Sequence, residues 1–405
     1  MKISGRTGAH SLVRWSTFKK KYMKVYYLII PFCILTSPIW GQYDDAPTVT
    51  ISGKVNNFDP KNLEIYIEFS RAGFFQESAI RTNMDKNGNF KTSFKTFIPS
   101  EFKVCYKLAP IFTASVYPKD NIYIETFSSY EENMTNPVGV IFKGSSAKFN
   151  TEIFFFKRLY FNAKINPYKR LSVDWVPIDR ITPVVYAKYL KDTVLVKCSN
   201  LLKSYIQLYK PSAEAIEWCK FYLDVNEYYQ QLAYYPGEYF DNDEFMSSKE
   251  RVQNYIKKKE ISVPETYYNP LNSSLPIKNS MFLNSIALAD YIRTFYSYIR
   301  KKTVCEQNPE YCNKYEWRGV NFKSDFDSMY IAGTRKFIKD PLLKQMLLAN
   351  TLVDEIYCTE KLVSFKKYES SIIKQEIKEP YLMKHLYYMY EKAKKVVEER
   401  KKEKK

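Results

Sequence analysis

Histidine is nearly absent from this sequence, which has only two histidines in 405 residues. His10 lies in the N-terminal segment, and His385 falls in a helical pattern beside Leu382 and Tyr388, where a packing or surface role is expected. Histidine-based triads and zinc sites would therefore have one imidazole beyond the first 41 residues. The sequence also lacks a P-loop and a dinucleotide-binding fingerprint. We predict no catalytic, cofactor-binding or metal-binding residue.

Positive charge is in excess, but it is concentrated at the two ends of the chain. The net charge is +18, of which residues 1–41 carry +7 without any acidic residue and residues 391–405 carry +4. The small, spread excess between them is not the basic stripe that binds phosphate backbones, so nucleic-acid binding is not predicted. Glu398, Glu399 and Glu403 alternate with basic residues at the C-terminal end. This pattern favours a charged tail that forms a solvated helix end over one that contacts an anionic surface.

The N-terminal segment has the outline of a secretory signal sequence. Lysines at positions 19, 20, 21 and 24 precede an apolar run over 25–40, and Gly41-Gln42 opens a polar stretch. We expect translation to start at Met23, so residues 1–41 are a signal peptide with an upstream extension. A membrane anchor is the alternative, but the run has 16 residues with two prolines, fewer than the ~20 of a spanning helix. Cys33 lacks the small preceding residues of a lipobox. The sequence predicts export to the periplasm or cell envelope, with no stable transmembrane anchor after cleavage.

Residues 42–146 are predicted to form an antiparallel β-sandwich. Apolar and polar residues alternate over 48–55 and 63–69, and further strands are expected over 102–108, 111–117, 122–127 and 138–142. Turn signals separate these short strands, as is typical of a sandwich. Between two strands lies Asp85-Lys86-Asn87-Gly88-Asn89, whose Asn-Gly pair predicts a hairpin with a type I′ turn.

From Ala147 onward the apolar residues recur with the period of helices. Thr182-Pro183 and Pro211-Ser212 are typical helix starts, and further helices are expected over 280–301, 323–337, 340–350, 351–369 and 379–400. Residues 237–280 are expected to be a loop-rich insertion. The sequence thus predicts an α+β protein: an N-terminal antiparallel β-sandwich (42–146), an all-helical domain (147–390) and a charged tail (391–405).

The two regions meet in the stretch Val116–Asn150. A turn is predicted at Pro118–Asn121, where Lys119 stands at the position that a type II turn fills with glycine. We therefore expect a type I turn. The stretch ends in the pattern Phe-x-Gly-x-x-Ala-x-x-Asn over 142–150, where a strand gives way to a helix.

This stretch resembles the N-terminal region of TlpA-like thiol-disulfide oxidoreductases of Bacteroidetes, where a Pro-Gly-Asp turn, a strand and the same pattern end a small β domain. Asp340-Pro341-Leu342-Leu343 and Tyr388-Met389-Tyr390-Glu391-Lys392 are similar to two helices of the same family. The resemblance implies a β-sandwich, in agreement with the strand pattern. It covers only the region outside the thioredoxin domain. That family's chemistry lies in a C-terminal thioredoxin-like domain with a Cys-x-x-Cys motif, and in this sequence no two cysteines are separated by two residues.

These observations leave two main functions open. The first is an exported cell-envelope binding or scaffold protein that resembles the non-catalytic half of those oxidoreductases. The second is a component or truncated form of a thiol-disulfide oxidoreductase whose thioredoxin domain is on another chain, so that a thioredoxin-like envelope protein would be a partner. Ligand binding in the aromatic-rich helical region is a third. The missing Cys-x-x-Cys motif favours a protein that is not itself an enzyme.

Six cysteines lie beyond the leader: Cys105, Cys198, Cys219, Cys305, Cys312 and Cys358. Asn308-Pro309 favours a turn between Cys305 and Cys312, which predicts a disulfide between these two. Cys105 lies between two lysines that would lower its pKa if it were exposed, so it is a candidate reactive thiol, with a small buried residue as the alternative. Cys198 and Cys219 are flanked by apolar residues, and burial there would raise their pKa values.

Overall fold

The computed structural model describes residues 46–71, 74–136, 138–163, 183–233, 282–307, 326–359 and 362–403. The strands are β1 (Thr48–Asn56), β2 (Glu64–Arg71), β3 (Phe74–Asn83), β4 (Asn89–Lys95), β5 (Ser100–Tyr106), β6 (Ala109–Val116), β7 (Asn121–Phe127) and β8 (Ile141–Gly144). Helix α1 (Tyr130–Thr135) lies between β7 and β8. The later helices are α2 (Ala147–Asn162), α3 (Pro183–Tyr189), α4 (Val196–Tyr209), α5 (Ala213–Ala233), α6 (Ile286–Gln307), α7 (Phe326–Phe337), α8 (Pro341–Thr359), α9 (Leu362–Tyr368) and α10 (Pro380–Glu403). One π-helical turn, Leu190–Leu195, joins α3 to α4, and another, Glu369–Ile373, follows α9.

The strands form two four-stranded sheets that face each other. The strand orders are β4-β1-β7-β8 in the first sheet and β3-β2-β5-β6 in the second. Neighbouring strands are antiparallel except for the parallel pair β1 and β7. Apolar side chains from both sheets fill one core, where the rings of Phe69 and Phe94 stack with their centroids 4.4 Å apart. The predicted α+β class, a sandwich of mainly antiparallel strands followed by helices, is confirmed.

The helices form a second core and pack on one sheet of the sandwich. Helix α5 packs against α6, and α8 packs against α10. Helices α6 and α8 contact β3, and α6 also contacts β2, so the helical region covers the second sheet. This arrangement places the start of β5 between the two cores.

Several helices begin where the sequence predicts. Pro183 is the first residue of α3, and α5 begins directly after Pro211-Ser212. Asp340 caps α8, since its Oδ1 accepts a hydrogen bond from the backbone N–H of Leu343 at 2.8 Å. Within the described ranges, no helix combines the length and the apolar character needed to cross a membrane.

The turn at Asp85–Asn89 differs from the prediction. Of the Asn-Gly pair only Gly88 has a positive φ, 81°, whereas a type I′ turn needs positive φ at both residues. The strands on either side, β3 and β4, also belong to different sheets. The predicted type I′ hairpin is therefore wrong. Asp85 accounts for the observed turn, because its carboxylate accepts backbone hydrogen bonds from Asn87 at 2.8 Å and Asn89 at 2.9 Å. Hydrogen bonds from Asn89 are the main reason why the pKa of Asp85 is lowered.

The turn at Pro118–Asn121 also differs from the prediction. Lys119 has a φ of 74°, which a type I turn does not allow, so the expected type I turn is wrong. Asp120 accounts for this conformation. Its carboxylate accepts hydrogen bonds from the backbone N–H of Tyr117 at 2.8 Å and from the hydroxyl of Ser145 at 2.6 Å. These bonds hold the left-handed conformation at Lys119 without a glycine.

Parts of the predicted organisation lie outside the described residues. These are the signal peptide with its upstream extension (1–41), the loop-rich insertion (237–280) and Cys312. In the charged C-terminal segment, helix α10 continues to Glu403.

Candidate functional site at the sandwich–helix junction

Gly144 and Asn150 of the pattern over 142–150 both have structural roles, Gly144 in β8 of the first sheet and Asn150 at the edge of the second sheet. Asn150 lies on α2 and is fully buried. Its side-chain amide accepts a hydrogen bond from the backbone N–H of Ser115 and donates one to the Ser115 carbonyl oxygen, both at 2.7 Å. Because β6 is an edge strand, this amide satisfies backbone groups that would otherwise be unpaired. Gly144 has a φ of 111°, and a Cβ there would lie 2.2 Å from the carbonyl oxygen of Asn121.

Glu101, in β5, is the centre of a buried polar cluster between the sandwich and the helices. Its side chain is only 6% exposed. Oε1 accepts a hydrogen bond from Nε1 of Trp218 at 2.8 Å. Oε2 accepts bonds from the backbone N–H of Ile286 at 2.9 Å and from the Ser285 hydroxyl at 3.3 Å. Since Ile286 is the first residue of α6, the carboxylate also lies at the positive end of that helix dipole.

Strand β5 and the segment before α6 are joined by a second set of bonds. The backbone N–H of Glu101 donates to the carbonyl oxygen of Asn284 at 3.1 Å. The side-chain amide of Asn284 donates to the hydroxyl of Ser100 at 2.6 Å and to that of Tyr381, in α10, at 3.3 Å. The start of β5 is thus hydrogen-bonded directly to α5 and α6, and Asn284 links it to α10.

The amine of a half-buried lysine lies beside this cluster. Nζ of Lys157, in α2, is 4.7 Å from the centroid of the Trp218 ring and donates a hydrogen bond to the Thr113 hydroxyl. Burial lowers the pKa of Lys157, and attraction by Glu101 and Cys219 opposes this shift. Trp218 therefore contacts both charged groups: its indole N–H donates to the Glu101 carboxylate, and Nζ of Lys157 lies over the face of its ring.

A small cavity opens beside Glu101. It has a volume of about 10 Å³ and is bordered by Ser115, Tyr117, Phe149, Trp218 and Phe282, together with Glu101 itself. The Ser115 hydroxyl has no hydrogen-bond partner among the residues that the structure describes. A volume of this size accommodates about one water molecule, which would satisfy that hydroxyl. The cavity has room for little more than this water, and the Glu101 carboxylate already accepts three hydrogen bonds, so the cluster is suited to joining the two parts of the protein.

The described cysteine side chains are all buried. Cys105 is 2% exposed, so the exposure that the reactive-thiol hypothesis required is not met, and the alternative of a small buried residue is favoured. Its strand packs the residue away from solvent despite the neighbouring lysines. Burial raises the pKa of Cys198 to about 11 and also raises that of Cys219, as the sequence predicted. The predicted disulfide between Cys305 and Cys312 falls on a pair of which only the Cys305 backbone, in α6, is described.

Sequence reasoning did not identify Glu101, Trp218 or Lys157. The alternation of β5 places Glu101 and Cys105 on the same face as Lys103, which predicts a solvated face. Only the helices packed on that face convert it into an interface. A buried acid two residues from a lysine carries no signal that distinguishes it from a surface acid.

Among the described residues, no group of three or more His, Cys, Asp or Glu side chains is arranged to hold a metal ion. His385 is 4% exposed and lies 6.3 Å from the ring of Tyr388, which confirms the packing role expected for it. The fold and the junction thus define a two-part α+β protein whose parts are joined by buried polar groups. Comparisons of the chain with protein-family models, curated proteins and solved structures gave no match.

Proposed function

We propose that this chain is an exported cell-envelope protein that acts as a binding or scaffold module. The observation that carries the proposal is the Glu101 cluster, which joins the sandwich to helices α5 and α6. A module that holds partners in a fixed geometry needs such a connection, since interfaces within a chain otherwise allow relative motion. The basic and then apolar leader over residues 19–40 supports export.

The resemblance to TlpA-like oxidoreductases supports a partner of a particular kind, a thioredoxin-like envelope protein. Cys198 and Cys219 are poor attacking thiols, because their raised pKa values leave little thiolate near neutral pH. A thioredoxin-like partner on another chain would supply the reactive dithiol, while this chain would position it. This combines the scaffold role with the partner that the alternative hypothesis requires.

Export is tested by the intact mass of the protein isolated from the cell envelope. We expect cleavage near Gly41-Gln42, so the purified form should lack the apolar run over 25–40. A product that retains this run, or one found in the cytosol, would contradict the proposal.

The scaffold assignment is tested by insulin reduction with dithiothreitol as the electron donor. We expect the purified chain to show no turnover above the uncatalysed rate. The matched variant carries Cys305→Ser and Cys312→Ser, the pair closest in sequence among the cysteines beyond the leader. Turnover by the unaltered chain that disappears in this variant would identify an oxidoreductase and refute the scaffold assignment.

The same preparation tests the predicted disulfide. Non-reducing peptide mapping of the envelope form should yield one linked peptide containing Cys305 and Cys312. Free thiols at both positions would show that the prediction is wrong.

A further inference from the structure

A second pocket lies between α5 and the π-helical turn Leu190–Leu195, away from the Glu101 cluster. We call it the π-turn pocket. Its wall consists of Leu190, Val194, Cys198, Leu223, Glu227 and Gln230, among others. A π-helical turn within a helix is uncommon and often occurs at functional sites. Here it places Leu190 and Val194, both buried, on the pocket wall.

The pocket is bordered by a polar side-chain atom that no described residue satisfies. Gln230 is 4% exposed, and its Oε1 has no hydrogen-bond partner within the part of the chain that the structure describes. Buried side-chain oxygens in folded proteins nearly always accept a hydrogen bond, and an unmade one costs about 1–3 kcal/mol. An unpaired acceptor at the end of a pocket therefore indicates an occupant that donates a hydrogen bond.

The charge around the pocket favours a hydrogen-bond donor that is itself positively charged. Glu227 lies one helical turn before Gln230 and borders the pocket, while Asp224 precedes Glu227 by three positions on the same helix. Burial, and then repulsion from Asp224, raise the pKa of Glu227. The charge of Glu227 also helps to raise the pKa of Cys198, so its field extends across the pocket. Among the described residues that line the pocket, none carries a positive charge.

The size and shape of the pocket limit the occupant further. The space in the pocket is about 10 Å³, which fits one water-sized group such as an ammonium head, so the rest of a ligand would lie in the open mouth. Gln230, Cys198 and Leu223 form the buried floor, whereas Glu227 and Leu195 are half-buried at the mouth. A ligand with a small charged head and a short apolar stem would place the head beside Gln230 and the stem along the leucines.

We propose that the π-turn pocket binds a small primary alkylammonium group, with Gln230 Oε1 and the Glu227 carboxylate as its hydrogen-bond acceptors. The cation supplies a donor to Gln230 Oε1 and neutralises the negative charge of Glu227, which borders the pocket. The inference does not rest on export or on a scaffold role, since its observations concern α5, the π-helical turn and Cys198 of α4.

The test uses calorimetric titration of the full purified chain with methylammonium chloride at constant ionic strength. We expect saturable binding with a Kd of about 10 mM or tighter. Tetramethylammonium carries the same charge without an N–H donor and should bind at least about tenfold more weakly. Acetate should not bind, because it carries the wrong charge.

Three variants assign the binding to this pocket. Glu227→Gln keeps the side-chain shape and removes the charge, and Gln230→Met keeps the length and removes the acceptor. Each should weaken methylammonium binding at least about tenfold. Glu217→Gln is the matched control, because Glu217 is an exposed acid on the same helix outside the pocket, and binding should be unchanged. Thermal unfolding of each variant shows whether it is folded.

Several results would overturn the proposal. Binding that does not saturate, binding of tetramethylammonium as strong as that of methylammonium, or equal binding by the first two variants and the control would each do so. A crystal soaked in methylammonium that shows only an ordered water beside Gln230 would also refute it. The comparison of the two cations needs no variant, so a variant that fails to fold leaves the proposal testable.

Discussion

Replacing Glu101 by alanine is expected to weaken the junction between the sandwich and the helices. The substitution removes the acceptor for three buried donors: the Trp218 indole N–H, the backbone N–H of Ile286 and the Ser285 hydroxyl. It also removes the negative charge that opposes the lowering of the Lys157 pKa. These three donors would then have lost their acceptor in the interior of the protein.

The expected magnitude follows from these three bonds. A hydrogen bond to a charged group contributes about 1.5–3 kcal/mol, and part of the loss is offset because the buried carboxylate no longer has to be desolvated. Breaking a buried charged network by removing one member lowers the free energy of unfolding by about 3–5 kcal/mol. Trp218→Phe removes one donor, and a double-mutant cycle with Glu101→Ala should give a coupling energy of about 1.5–3 kcal/mol.

Urea unfolding followed by circular dichroism and by tryptophan fluorescence measures both quantities. If the junction holds the two parts together, the two probes should give coincident transitions in the unaltered chain and separate transitions in Glu101→Ala. Glu217→Ala is the control, because a change at an exposed acid should alter stability by less than about 0.5 kcal/mol. A loss below about 1 kcal/mol for Glu101→Ala, or a coupling energy near zero, would refute the assignment of the cluster as the connection.

Three further predictions concern other parts of the fold. Asn150→Asp should destabilise the protein by about 2–4 kcal/mol in urea unfolding, because a carboxylate cannot donate to the Ser115 carbonyl; a loss no larger than for an exposed asparagine would contradict it. Lys119→Gly should raise stability by about 0.5 kcal/mol, since glycine relieves the left-handed strain but gains chain entropy on unfolding, whereas Lys119→Ala should give no gain. The pKa of Cys198 is raised to about 11, so the folded state holds its proton more tightly than the unfolded state does. Its contribution to stability is therefore present below about pH 9 and lost as the pH rises towards 11, a slope that Cys198→Ser should reduce.

The order of strands and helices could be predicted because it depends on local patterns. Alternation marks β1 and β7, and the change of period at Ala147 marks the start of α2. The parallel pairing of β1 with β7 could not be predicted in this way. This pairing joins Thr50 to Asn121, which are far apart in the sequence. The alternation of apolar and polar residues is also the same in parallel and antiparallel strands that have one buried face.

The two turn predictions failed for a shared physical reason. The prediction for Pro118–Asn121 relied on the glycine preference of the position that Lys119 occupies. The prediction for Asp85–Asn89 relied on the backbone preference of the pair Asn87-Gly88. In both turns an aspartate carboxylate determines the conformation: Asp85 accepts two hydrogen bonds from its own turn, and Asp120 accepts one from Tyr117 and one from Ser145, which follows β8. Side-chain hydrogen bonds of this kind compete with intrinsic preferences, and the sequence does not show which of them wins.

The junction was beyond sequence reasoning because its contacts span long separations. Trp218 is 117 positions from Glu101, and Ser285 is 184 positions from it. Local periodicity carries no information on such pairs. The pattern over 142–150, by contrast, was recognised from the sequence, because Gly144 and Asn150 lie within one short segment. Its function was not, because Asn150 bonds to Ser115 on an edge strand rather than to its own neighbours.

The two cavities beside α5 differ in the way that matters for binding. In the junction cavity the carboxylate of Glu101 already accepts three hydrogen bonds from the protein, so a ligand would have to displace them. In the π-turn pocket the acceptor of Gln230 has none within the described residues, so a donating ligand gains a hydrogen bond without breaking one. The unsatisfied Ser115 hydroxyl of the junction cavity can be paired by one water molecule, and it selects no charge. For this reason the Glu101 cluster is assigned to holding the two parts together, and ligand recognition is assigned to the π-turn pocket.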